Sequence, residues 1–223
     1  MPAKTVPESP VGARSARTRA RLIVVAERLF AERGVNSVSL NTITTAAGQK
    51  NRSALQYHFG NRDGLLQAII DRHARRVHAL RETYMLSPEL ADQPPAAAAA
   101  RGLIIPLARY IVDEPSGAMY VKILSQLAAM NSRLINPATR SGLSFQEEAL
   151  LREVLLLALA HLGKAEAQRR LFIVVGITFH SLADICRVHA AADKAPALAD
   201  REALFEQLAL GIEALLRAPA SER

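Results

Sequence analysis

Ser39 to Leu66 reads SLNTITTAAGQKNRSALQYHFGNRDGLL, and the punctuation of this stretch decides the fold. Ser39 stands where an N-cap belongs, its hydroxyl able to accept from a backbone N–H at the start of a helix running through Ile43 to Ala47. Gly48 closes that helix, because glycine takes a positive φ just past a last turn without a Cβ penalty. Asn51 is the expected cap of a second short helix through Arg52, Ala54, Leu55 and Tyr57, with Ala54, Leu55 and His58 on one side. Asn61 offers a third cap, and Asp63 complements the positive end of the helix dipole ahead of the stripe Leu65, Leu66, Ile69 and Ile70. Helices this short are not stable alone, so the segments before and after must pack on them. Helix, glycine turn, helix is the pattern of a helix-turn-helix, whose second helix enters a DNA major groove.

The charge distribution points to the same partner. Residues 1–85 carry a net +8 and residues 86–223 a net −1, within a chain total of +7. Such one-sided charge is an electrostatic footprint for a polyanion. Arg14, Arg17 and Arg21 stand at i, i+3 and i+7, on one face of a helix through them. Cations at a helix N-terminus oppose the dipole, an arrangement explained by phosphate lying there. A solvated basic face and a membrane-surface amphipathic helix over Arg14 to Arg33 are the alternatives, and Glu27 and Glu32 argue against the second.

The 223 residues are half hydrophobic, enough for a sizeable core, and few are aromatic. Sparse glycine, abundant alanine and leucine and no alternating strand run bounded by hairpin turns predict an all-α fold of about nine helices. The single Cys186 excludes an internal disulfide and a multi-cysteine metal site. Three prolines and a glycine before Arg14, with no apolar signal core, predict a disordered arm over 1–13 and a cytoplasmic, nucleoid-associated protein. Domain boundaries are expected at 14–62 for the helix-turn-helix domain, 63–86 for a connecting helix and 87–223 for the remainder, with Pro88, Pro94 and Pro95 marking the last break. Further helices are expected over 96–111, which Pro106 should kink or interrupt, and over 118–130, 145–162, 166–190 and 201–217.

The N-terminal third resembles the DNA-binding domain of the TetR family of bacterial transcriptional regulators. The resemblance rests on Leu29-Phe30-Ala31-Glu32-Arg33-Gly34, on Ser39 with Ile43, on Ala47-Gly48, on Leu55-Gln56-Tyr57-His58-Phe59 and on Arg62. Three departures stand out: the turn from Gly48 to Asn51 is one residue longer than is usual in the family, Gln56 replaces a common aromatic, and Thr44 replaces a common alanine.

Roles at the DNA follow from side-chain chemistry. Arg14, Arg17, Ser39, Thr42, Lys50, Tyr57, His58 and Arg62 are the expected phosphate contacts, which set register without reading sequence. Gln49, Asn51, Arg52, Ser53 and Gln56 are the expected base contacts, since arginine pairs with guanine and asparagine or glutamine with adenine.

Leu171 to Ile185, LFIVVGITFHSLADI, is apolar nearly all round, which for a helix implies burial on all sides. At 15 residues, with His180 and Asp184 inside, it reads as too short and too polar to span a membrane. A homodimer burying this helix and the next as a four-helix bundle is expected, through Phe172, Val175, Phe179, Leu182, Leu204, Leu208, Ile212 and Leu215. The family resemblance implies the same interface, and an operator that is roughly palindromic.

The resemblance also implies an effector pocket among the C-terminal helices. Its expected lining is Leu103, Ile104, Leu107, Tyr110, Met119, Tyr120, Ile123, Leu127, Met130, Phe145, Leu150, Phe172, Phe179 and His180, suited to a hydrophobic small molecule. At about 100° per residue Cys186 lies roughly 240° from His180, which disfavours a Cys-His dyad, and a His180 to Asp184 hydrogen bond is expected instead. No catalytic residue, metal site or cofactor motif is expected. The reading is a DNA-binding repressor released by an effector. The alternatives are a DNA-organising protein of the same fold without an effector, and a helical hydrophobe carrier or enzyme.

Overall fold

The computed structural model describes residues 10–51, 53–129, 143, 149–190 and 198–220. Every secondary-structure element among them is a helix, and the chain forms two compact units, residues 1–69 and 70–223.

The first unit is built on α1 (Pro10–Arg33), α2 (Leu40–Ala46), α3 (Ala54–Phe59) and the opening turns of α4 (Arg62–Met85). α1 begins at Pro10, four residues ahead of the expected start at Arg14. Proline suits a first helical turn, where its missing N–H would have no partner. One face of α1 buries Leu22, Ala26, Leu29 and Phe30, and in the same unit Val38, Ile43, Leu55, Leu65 and Ile69 are likewise buried. Gly34, Gly48 and Gly60 hold φ of 101°, 69° and 73°, each at the end of a helix, as the sequence predicts for Gly48.

Ser39 caps α2, its Oγ accepting from the Thr42 N–H at 3.0 Å. Thr44, in place of the family's alanine, is buried and donates its hydroxyl to the Leu40 carbonyl at 2.9 Å, which satisfies it one turn back. Asn61 caps α4 by accepting from Gly64 N–H at 2.9 Å. Asn51 behaves differently from expectation. Its Oδ1 accepts from Ser53 N–H at 2.9 Å and its carbonyl from Ala54 N–H at 3.1 Å. It makes an Asx turn, and α3 starts only at Ala54.

The second unit comprises the rest of α4, α5 (Pro88–Ala91), α6 (Pro95–Asp113), α7 (Gly117–Ala129), α8 (Ala149–Ala158), α9 (Lys164–His189) and α10 (Arg201–Arg217). Ten helices thus occur among the described residues, against about nine expected. The short α5 is the addition, seeded by Pro88 at its first position. α6 lies at the centre. Ala96 to Ala100 are all buried, and their small side chains allow neighbouring helices to approach. A Cβ on Gly102 would lie 2.4 Å from Met85 Sδ, so a larger residue there would make the flexible Met85 side chain shift. The helix runs through Pro106 without interruption, since the packing of its buried flanks outweighs one lost hydrogen bond. Phe205, Ala209, Ile212 and Leu216 of α10 pack on the same core. Burial of Phe205 alone contributes roughly 1.5–3 kcal/mol.

α6 and α9 are both long and apolar enough, by length and composition, to cross a membrane. That corrects the length argument made for 171–185, because the helix extends to 26 residues. The apolar window of α6 is 67% buried within the chain and that of α9 only 33%.

Candidate DNA interface and effector region

The sequence from Gly48 to Phe59 presents a row of polar side chains from a buried support. Ala54 and Leu55 face inward, while Lys50, Asn51, Ser53, Gln56 and Tyr57 are exposed, Tyr57 by 81%. Gln49 is half-buried, its amide reaching the Ala47 carbonyl at 3.5 Å. Arg52 lies outside the described residues. Ser39 and Thr42 are exposed with their hydroxyls 2.8 Å apart, two adjacent groups at the N-terminus of α2. Arg14 and Arg17 are exposed along α1, and Arg17 Nε donates to the Ala13 carbonyl at 3.3 Å.

Arg62 is turned inward. Its guanidinium donates to the Val35 carbonyl and lies 5.7 Å from the Phe30 ring centroid, so it ties the start of α4 to the α1–α2 loop. That is a structural task beside the phosphate contact expected of it. His58 is half-buried, with the Tyr57 ring edge-on at 5.0 Å. Burial first, and the Arg19 guanidinium second, hold its imidazole below the usual histidine value, so it is neutral near pH 7.

Two arginines of α1 acquire positions that spacing did not assign. Arg19 lies over the Phe59 ring at 5.2 Å, at the last residue of α3. Arg21 sits at the turn, where a Cβ on Gly48 would come 3.3 Å from its Nη2. Sequence periodicity marks Arg21 only as a member of a basic row and gives no signal for Arg19.

In the second unit the residues expected around an effector divide. Leu107, Tyr110, Tyr120, Ile123 and Leu127 are buried core, as is Ile104. Leu103, Met119 and Phe179 are half-buried, and Phe172, His180 and Leu150 are exposed. Met130 and Phe145 lie outside the described residues. The unforeseen member is His73 of α4, 1% exposed. Its Nδ1 is hydrogen-bonded to the Tyr110 hydroxyl, and its ring stacks on Tyr120 at 4.4 Å. His180 Nδ1 pairs with Ser125 Oγ at 2.7 Å, and Asp184 pairs with Arg187. The expected His180 to Asp184 bond is therefore replaced, because Ser125 of the packed helix α7 reaches His180 while Arg187, three residues on along α9, takes Asp184. Burial raises the Cys186 thiol above its usual value, which keeps it protonated. A groove of about 270 Å3 between α6 and α10 includes Ile105, Val112 and Phe205, and another of about 320 Å3 includes Pro94, Leu157 and His161; neither is lined by the expected residues.

The residues expected at a dimer interface also divide. Leu182 and Ile212 are fully buried within their own chain, and Val175, Phe179, Leu204, Leu208 and Leu215 are half-buried. Phe172 at 45%, Ile173 at 48% and Leu210 at 50% are the large apolar side chains that α9 and α10 leave exposed. Periodicity located the apolar stripe of α10 but could not tell which neighbour covers it.

Residues 22–69 match the family model described as bacterial regulatory proteins, tetR family. The HTH-type transcriptional repressor BepR of Brucella suis is 32% identical over 103 residues, 46% of this chain and 47% of that protein. The HTH-type transcriptional regulator TtgR of Pseudomonas putida is 44% identical over 54 residues, 24% of this chain and 25% of that protein. The chain thus spans about half and a quarter of the length of these curated relatives. In fold it is similar to a transcriptional regulator from Rhodococcus sp. Rha1, with a TM-score of 0.50 and 19% identity over 89% of this chain and 96% of that one. The likeness to tetR family regulators is thus carried by residues 22–69, which contain the helix-turn-helix of the first unit, and for the rest of the chain the solved structure shows a likeness of fold alone.

Proposed function

We propose that the protein is a repressor that binds a roughly palindromic operator as a homodimer and leaves it when a hydrophobic small molecule occupies the second unit. The observation that carries this reading is the polar row Lys50, Asn51, Ser53, Gln56 and Tyr57, held outward on a buried Ala54–Leu55 support. Amides and hydroxyls in such a row suit base edges and phosphates of a major groove. The repressive sign is supported by the name of the Brucella relative. A cytoplasmic, nucleoid-associated location follows from the partner.

One α3 contacts too few base pairs to select a genomic site, so two copies are needed, on half-sites about 34–36 Å apart. Phe172, Ile173 and Leu210 supply the apolar surface for that pairing. Gly176 and Gly211 have nothing within 4 Å of their Cβ positions, which leaves room for a second backbone to approach. Within the second unit, His73, Tyr110 and Tyr120 bring hydrogen-bonding groups into a largely apolar core, suited to orienting a largely apolar effector.

Selection of bound duplexes from a random pool tests the reading. Enrichment of a two-fold symmetric site with half-sites one helical turn apart is expected. Recovery of no common site, or of an asymmetric one, overturns it. Loss of the retained duplex on adding one member of an acyl and aromatic compound panel identifies the effector class.

A further inference from the structure

We propose that Arg19 and Arg21 are phosphate-binding residues that bracket α3, one at each end. The proposal rests on the DNA-binding reading and adds two contacts to it. Arg21 lies beside Gly48, at the turn that leads into α3, and Arg19 lies over Phe59, where α3 ends. Both are exposed, and among the described residues neither is paired with a carboxylate.

A helix laid in a major groove has a phosphate rim beyond either edge, so guanidiniums placed at both ends of α3 stand where the rims pass. Contact with the Phe59 ring restrains Arg19, while Arg21 occupies the space that the bare Cα of Gly48 leaves, since a Cβ there would come 3.3 Å from Nη2. A restrained cation such as Arg19 loses less freedom when it meets an anion than a free surface arginine does. Their neighbours Lys50 and His58 add no negative charge.

Arg19→Gln, Arg21→Gln and Arg21→Lys are to be made in the full chain, and binding to a mixed-sequence duplex of about three helical turns measured over a salt series. Each glutamine variant is expected to bind several-fold more weakly, with the salt slope reduced by about one counterion per chain and the melting temperature unchanged. Arg21→Lys keeps the charge and is expected to keep the slope. An unchanged slope in both glutamine variants overturns the assignment. So does equal loss in Arg21→Lys and Arg21→Gln, which would make Arg21 a support of the turn. If the wild-type chain retains no duplex at all, the regulator reading itself fails, a result distinct from retention with an unaltered slope.

Discussion

Arg170 of α9 donates to the Leu215 carbonyl of α10 at 2.8 Å, and the same guanidinium reaches the carbonyls of Ala218 at 2.6 Å and Pro219 at 2.9 Å. A helix leaves its last carbonyls without intrahelical partners, and here a nearly buried cation from the adjacent helix satisfies them. Glu166, one turn back on α9, neutralises the arginine at 3.3 Å, and its own carboxyl is held below the usual value by Arg169 and Arg170. The pair locks the end of α10 onto the start of α9. Replacing Arg170 by Met is expected to cost about 2–3 kcal/mol, seen as a lower melting temperature with secondary structure otherwise retained. A melting curve equal to wild type would show that water replaces the guanidinium without loss.

Gly64 stands one turn into α4 with its Cα against the preceding helix. A Cβ there would lie 2.0 Å from the Phe59 carbonyl oxygen, a backbone atom that cannot swing aside. Gly64→Ala is expected to destabilise the first unit by about 1–3 kcal/mol and to abolish duplex binding, measured by calorimetry and gel retention. Gly60→Ala has free space at its Cβ but keeps the strained φ of 73°, so its smaller penalty separates steric from backbone cost.

Caps at Ser39 and Asn61 each satisfy one N–H at the start of a helix in the reading head. Alanine at either position should lower stability by about 1 kcal/mol, and the double variant by nearly the sum if the two sites are independent. Denaturant midpoints test this, and additivity that fails would reveal coupling between α2 and α4.

His58 titrates below the ordinary value of 6.5 because of burial and then Arg19. The unfolded chain therefore takes up this proton at a higher pH than the folded chain. Its contribution to stability is present above the ordinary value and lost as pH falls through 6.5 towards the lower folded value. A phosphate at the ring favours the charged form, so duplex affinity should move the other way and rise on acidification. Melting and binding between about pH 8 and 5 for wild type and His58→Gln check both slopes. Identical profiles in the two proteins would remove His58 as the titrating group.

Aspartate at Ile173 and Leu210 should leave the fold intact and yield monomers that bind the operator poorly, because both side chains are exposed in the single chain. Aspartate at Ile212 should instead unfold the second unit, since that residue is 0% exposed within its own subunit. Sedimentation with circular dichroism separates the cases. Folded dimers from the Ile173 and Leu210 variants would exclude this face as the interface.

Local chemistry made the reading head legible in advance. Ser39, Gly48 and Asn61 act on atoms one to four residues away, so their roles follow from neighbours in the chain, as does the burial of Leu55, Leu65 and Ile69. Asn51 escaped because an Asx turn and an N-cap use the same side-chain oxygen, and only the backbone path distinguishes them. The apolar periodicity of α10 was equally plain, yet whether Ile212 meets α6 or a second subunit depends on packing between segments about a hundred residues apart. The same holds for His73 with Tyr110, Arg170 with Leu215, and Arg21 with Gly48. Helix content, caps and turns arise from interactions short enough to be written in consecutive residues. Long-range partners were assigned only once the chain had folded, because periodicity says that a face must be covered and leaves open by what.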